Sequence, residues 1–231
     1  MITYILVLAI SSLFVNPKKI YLKHSRYYRI LLNIATWLAV RIMRIDIHAT
    51  GLEKIPKGSR FLLIQNHRSK FDPILSWYVL KRYDIAFLSK EENMHIPIFG
   101  RIIRKCCFMS IDRKHPAKAM ETVNNAVELL KNDEVSIGVY PEGTRNTSEE
   151  PLLPFHNSMF KIAQNAKVPI VIMACHGTAV IKDNFPKKRS SVYFDVTGVL
   201  KPEEIEGLKT NVIGEEVRKQ ILASSIFRKS L

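Results

Sequence analysis

Acidic side chains are absent from the first fifth of the chain. None precedes Asp46, whereas seven basic ones do: Lys18, Lys19, Lys23, Arg26, Arg29, Arg41 and Arg44. Glycine is absent as far as Gly51. Cysteine is scarce. Cys106 and Cys107 are adjacent and Cys175 stands alone, which excludes a disulfide framework, and no C-x-x-C pair is present to hold zinc. The expectation is a reduced protein facing the cytosol. None of the other six histidines stands at metal-ligand spacing to His67, so no metal is expected there. The lack of a G-x-S-x-G elbow argues against a serine hydrolase. There is no repeat, no low-complexity linker and no second-domain boundary beyond residue 46.

Long apolar runs are missing as well. Residues 1–15 carry no charged side chain but would make a helix of only about 22 Å, short of a hydrocarbon core of roughly 30 Å. No Lys or Arg precedes Lys18, so the basic start of a secretory signal is lacking. A second apolar run, residues 30–40, is shorter and is bracketed by Arg29, Arg41 and Arg44, and Asn16-Pro17 separates the two. The pair suits two helices that dip into one leaflet, with basic flanks at anionic headgroups. A single tilted span and a buried pair of core helices are the other readings of the same residues.

What is present is enough apolar material for a core: 47% of the 231 residues are hydrophobic and 24% are charged, which rules out wholesale disorder. The formal net charge of +14 points to an anionic partner, and half of it lies before Asp46. No nucleic-acid partner is expected, because no reader motif and no aromatic-basic interleaving accompany that charge.

From about residue 46 short apolar runs alternate with amphipathic stretches. Strands are expected over 60–65, 85–89, 107–111, 135–140, 168–174 and 191–196. Helices are expected over 73–82, 97–104, 116–131, 158–166 and 212–227. Met120, Val123, Val127 and Leu130 fall at helical spacing, and 191–196 alternates as a half-exposed strand does. The order predicts an α/β fold, an αβα sandwich around a mixed, largely parallel sheet. The organisation read from it is an N-terminal membrane-associating segment over 1–45 and one domain over 46–231.

Asn66-His67-Arg68-Ser69-Lys70-Phe71-Asp72 follows the first of those strands, where α/β sheets collect ligands. Asp72-Pro73 reads as a helix start with Asp at the N-cap. From there one carboxylate oxygen can meet the His67 ring while the other caps the helix. A histidine held this way is a general base for a hydroxyl. Alone, H-x-x-x-x-D is a weak signal that a chance pairing or a plain helix cap also explains. Three further blocks accompany it: Ile111-Asp112-Arg113, Tyr140-Pro141-Glu142-Gly143-Thr144-Arg145 and Val168-Pro169-Ile170-Val171.

These four blocks in this order resemble the glycerophospholipid acyltransferases of the 1-acyl-sn-glycerol-3-phosphate acyltransferase (PlsC) type, over roughly residues 51–196. The resemblance implies transfer of a fatty acyl group from acyl-carrier protein or acyl-CoA to the sn-2 hydroxyl of lysophosphatidic acid. Glycerol-3-phosphate or another lysophospholipid would be the alternative acceptor. It implies His67 as general base, Asp72 as its orienting partner, Arg145 as phosphate ligand and Arg113 as a second one. It places Lys90 in the same pocket, and Glu142, Gly143 and Thr144 in the loop that aims Arg145. No cofactor is implied, and the site would face the cytoplasm from a monotopic, membrane-bound enzyme.

The chain departs from the family pattern in five places. Cys107 replaces a usual Gly and Ser110 a usual Phe, positions expected to line the acyl path. Tyr140 replaces Phe, a conservative exchange. Met173 stands where a second Pro is common, and residues 155–160 replace a basic-Gly-Ala stretch.

Overall fold

The structure is a computed structural model and describes residues 2–112 and 115–228. Helices α1 (Ile2–Leu13) and α2 (Arg26–Ile42) lead into strand β1 (Ile45–Thr50). Then come β2 (Leu62–Gln65), α3 (Asp72–Val79), β3 (Ile85–Ser89), α4 (Glu91–Met94), α5 (Phe99–Arg104), β4 (Met109–Ser110), α6 (Pro116–Lys131) and β5 (Ser136–Val139). The chain continues through α7 (Lys161–Ala166), β6 (Ile170–His176), α8 (Ile181–Asn184), β7 (Ser190–Leu200), α9 (Pro202–Ile205), α10 (Thr210–Ala223) and α11 (Ser225–Arg228).

The seven strands form one sheet in the order β1-β7-β6-β2-β5-β3-β4. Every neighbouring pair is parallel except β6 with β7. Central β2 and β5 are buried along their whole length, as expected of strands covered on both faces. Because side chains alternate, Leu62 and Ile64 enter one core with α6, α7 and α10, while Phe61 and Leu63 enter the other with α2, α3 and α5. The αβα sandwich read from the sequence is thus the observed architecture.

Three local expectations change. The strand expected over 107–111 shrinks to β4, because Cys107 takes a left-handed φ of 64° that ends extended backbone. That conformation accounts for the glycine usual there. Strand β7 runs well beyond 191–196, to Leu200, and its partner β6 carries a register shift between Ile172 and Met173. β1 was not foreseen: only Ile45 of its six residues is buried, and edge pairing with β7 leaves no apolar run to read.

The two N-terminal apolar runs are helices, and the second is half core. α2 buries Tyr28, Leu31, Leu32 and Val40, and Val15 joins the same core. Core packing, not a linker, therefore joins residues 1–45 to the rest of the chain. Arg29, expected among the headgroup-facing flanks, is turned inward and is only 5% exposed. Its Nε lies 3.0 Å from Asp84, Nη2 donates to the Ile85 carbonyl at 3.2 Å, and the guanidinium sits 4.4 Å over the Trp77 ring. Burial pulls the Arg29 pKa down from its ordinary value, and neighbouring charge, including that of Asp84, opposes this.

Candidate active site

Strands β6, β2, β5, β3 and β4 are adjacent and parallel, so their carboxyl ends share one edge of the sheet. Three of the four sequence blocks, and Lys90, follow these ends: His67 after β2, Tyr140 to Arg145 after β5, Lys90 after β3, and Ile111-Asp112 after β4, whereas Val168-Pro169-Ile170-Val171 opens β6 at the opposite edge. Arg113 lies outside the described residues.

His67 Nδ1 lies 2.7 Å from Asp72 Oδ2, and the Asp72 side chain is fully buried. The same oxygen accepts the backbone N–H groups of Arg68 and Ser69 at 2.7 and 2.8 Å. Oδ1 accepts the Thr178 hydroxyl at 2.5 Å. Asp72 is therefore not the helix cap foreseen. It is the first residue of α3, after Phe71, and neither oxygen turns to the helix. The 67–69 loop offers three donors around one oxygen, and Thr178 takes the other. The four-residue spacing is what folds that loop around the carboxylate. Pro73 opens the helix as expected.

The backbone of His67 is held from the opposite side. Glu142 Oε1 accepts the His67 N–H at 2.7 Å, Glu142 Oε2 accepts the Leu153 N–H at 2.8 Å, and the Asn146 N–H donates to the His67 carbonyl at 2.7 Å. Burial pushes the Glu142 carboxyl up from its ordinary value, and the N–H donors of Leu153 and His67 counter it. Glu142 is 3% exposed and does not line the cavity onto which His67 opens. It braces the His67 backbone from within the loop that carries Arg145. Gly143 closes the turn onto the Tyr140 carbonyl at 3.0 Å with φ 69°, a conformation that favours glycine. Thr144 is exposed and also lies off the cavity wall.

The Tyr140 ring stacks on His67, with centroids 4.3 Å apart. Its buried hydroxyl has no well-formed hydrogen bond, because the neighbouring Ser76 hydroxyl donates to Gln65 Oε1 at 2.7 Å, so the exchange from Phe introduces a poorly satisfied polar group. Asn66, fully buried, donates to the Cys175 carbonyl at 2.9 Å and accepts the Cys175 N–H at 2.7 Å, binding the end of β2 to β6.

The cavity at His67 has a volume of about 760 Å³. Much of its wall is apolar, with Leu32, Ile74, Trp77, Phe87, Ile103 and Phe108 among the contributors. Lys70, Lys90 and Arg145 also line it, and no acidic side chain does among the described residues. Lys90 and Arg145 thus line the same cavity as His67, and so do Lys70 and His156, which the sequence reading did not single out: Lys70 lies inside the H-x-x-x-x-D loop with no signal of its own. Cys107 and Ser110, expected on the acyl path, do not line the cavity, and Phe108 and Ile111 do. Leu32, Ala35, Thr36 and Ala39 make α2 one of its walls.

Residues 46–176 match the family model described as Acyltransferase. The chain is 27% identical over 200 residues to the 1-acyl-sn-glycerol-3-phosphate acyltransferase of Saccharomyces cerevisiae, covering 81% of this chain and 64% of that protein. It is 32% identical over 120 residues to the enzyme of that name from Haemophilus influenzae, covering 52% of this chain and 49% of the other. The chain therefore spans about half to just under two thirds of the length of these relatives. Among solved structures, the crystal structure of the 1-acyl-sn-glycerophosphate (LPA) acyltransferase PlsC from Thermotoga maritima superposes with a TM-score of 0.69 at 23% identity, covering 95% of this chain and 87% of that one. At that identity the likeness shows the fold.

Proposed function

Because this chain belongs to the Acyltransferase family, we propose that it transfers a fatty acyl group from a thioester, acyl-carrier protein or acyl-CoA, to the sn-2 hydroxyl of lysophosphatidic acid, giving phosphatidic acid. One observation carries the reading. A histidine fixed by a buried carboxylate at 2.7 Å opens onto a largely apolar cavity whose wall bears three cations and, among the described residues, no acid.

With Nδ1 donating to Asp72, Nε2 is the nitrogen left to accept a proton. It takes the proton of the acceptor hydroxyl as that oxygen attacks the thioester carbonyl carbon. The tetrahedral adduct collapses, the C–S bond breaks, and the departing thiolate recovers the proton from the His67 imidazolium. Asp72 stabilises that cation without itself being protonated. A thiol with a pKa of about 8.5 leaves readily, so the chemistry needs no covalent enzyme intermediate. A positioned base supplies about 10²–10⁴-fold. Arg145 offers its fork to two phosphate oxygens, and Lys90 and Lys70 add charge. Arg113 is proposed as a second phosphate ligand on the family pattern alone.

The same reading puts the protein on a membrane with the domain facing the cytoplasm. No described helix is long and apolar enough to cross a bilayer. Yet Ile5, Leu6, Ile10 and Leu13 of α1 and Ile30, Ile34 and Trp37 of α2 are exposed. Lys18, Lys19, Lys23 and Arg41 flank this surface and suit an anionic lipid layer. α2 is then a lipid-facing helix on one side and a cavity wall on the other. The test is one assay in which purified protein meets lysophosphatidate, glycerol-3-phosphate and lysophosphatidylcholine, each with acyl-CoA and with acyl-carrier protein. Transfer to lysophosphatidate is expected. Transfer to glycerol-3-phosphate or lysophosphatidylcholine alone would move the acceptor within the family, and no transfer to any would overturn the activity.

A further inference from the structure

We infer that Thr178 is a positioning residue for the acyl transfer: its hydroxyl holds the second oxygen of Asp72, and through Asp72 it fixes the orientation of His67. The role rests on the proposed acyl transfer. No sequence block contains Thr178. It stands 106 residues beyond Asp72 and reaches it because β6 and β2 are parallel neighbours.

Both partners are fully buried. The three other donors to Asp72 all come from residues 67–69 and all converge on Oδ2. They leave the carboxylate anchored at one oxygen, and its terminal torsion is a broad, soft one. A donor from a different segment on Oδ1 removes that freedom. Thr178 is itself held from two sides. Asn66 fixes the Cys175 backbone through both its amide atoms. The intervening Gly177 has φ 87°, and a Cβ there would lie 2.3 Å from the Ser191 carbonyl oxygen, so the turn is pressed against β7. The hydroxyl is thereby delivered from the rigid sheet to the carboxylate.

Removing the hydroxyl while keeping the shape isolates this effect. Thr178→Val deprives a buried oxygen of its donor, lets the carboxylate rotate and loosens its hold on the His67 ring. Turnover should fall about tenfold or more while KM for acceptor and donor stays within about twofold, because no substrate contact changes. Thr178→Ser keeps the donor and should restore most of the rate. A second readout needs no substrate: in the full-length protein in detergent micelles, the low-field Nδ1–H proton signal of His67 should broaden by exchange with water in Thr178→Val and persist in Thr178→Ser. Should Thr178→Val not fold, Thr178→Ala takes its place beside the serine variant. Equal losses in the valine and serine variants, or an unchanged rate and signal in Thr178→Val, would overturn the inference. A wild-type protein that transfers no acyl group defeats the activity reading instead, and the His67 signal then decides the positioning role by itself.

Discussion

Two sets of side chains meet at the cavity, and they are held very differently. The His67–Asp72 pair sits in a lattice of short hydrogen bonds: four donors on Asp72, and a donor and an acceptor on the His67 backbone. The side chains of Lys70, Lys90 and Arg145 are exposed and make no hydrogen bond or ion pair among the described residues. The difference fits the role proposed for each set. A base must be aimed before the substrate arrives, since misplacement is felt directly in the transition state. Cations that meet a phosphate gain from staying hydrated until the phosphate replaces the water. Damage to the first set should therefore appear in turnover and folding, and damage to the second in binding.

The sharpest test is His67→Ala. Turnover should drop by at least about 10²-fold with the fold intact, because the base goes while the binding groups stay. Wild-type turnover in this variant would remove the mechanism. Next comes Glu142→Ala, which strands the N–H groups of His67 and Leu153. Each orphaned donor costs about 1–3 kcal/mol. At about 2–4 °C per kcal/mol for a chain of this size, the melting temperature should fall by several degrees, and turnover with it. An unchanged melting temperature would mean that the brace is idle.

Arg145→Ala should leave the melting temperature where it is. KM for the phosphorylated acceptor should rise about tenfold or more, from the loss of a charge-assisted contact, with the donor's KM unmoved. Arg145→Lys should recover only part, for want of the fork. Equal effects on both substrates, or a lowered melting temperature, would erase the distinction between the two sets.

The parts of the molecule legible in the sequence are those whose physics is local. The two N-terminal apolar runs are helices, the 60–65 run holds the buried strand β2, and the H-x-x-x-x-D spacing does bring ring to carboxylate. What escaped depends on distant chain segments. Thr178 reaches Asp72 only through the parallel pairing of β6 with β2. Asp72 misses its cap role because two backbone N–H groups upstream compete for it. Arg29 reads as one more basic flank until Asp84 and Trp77 are seen beside it. β1 has a single buried residue and no pattern to find. Lys70 was in plain view, but nothing in its spacing says which way a loop lysine turns.

Tyr140 probes the boundary between the rigid set and everything around it, with the smallest expected effect. The ring stacks on His67 and belongs to the lattice, while its hydroxyl is a buried group without a well-formed hydrogen bond. Tyr140→Phe keeps the stack and removes that hydroxyl. If the hydroxyl has no task, the variant should be more stable by about 1 kcal/mol, since a poorly satisfied buried polar group is a net cost. That corresponds to about 2–4 °C in melting temperature, with turnover on lysophosphatidate within about twofold of wild type. A tenfold loss of turnover at unchanged KM would give a different answer: the hydroxyl would be acting on the His67–Asp72 pair during the reaction, and the exchange of Phe for Tyr in this chain would no longer count as conservative. Thermal melting and steady-state kinetics on the same preparation separate the two outcomes.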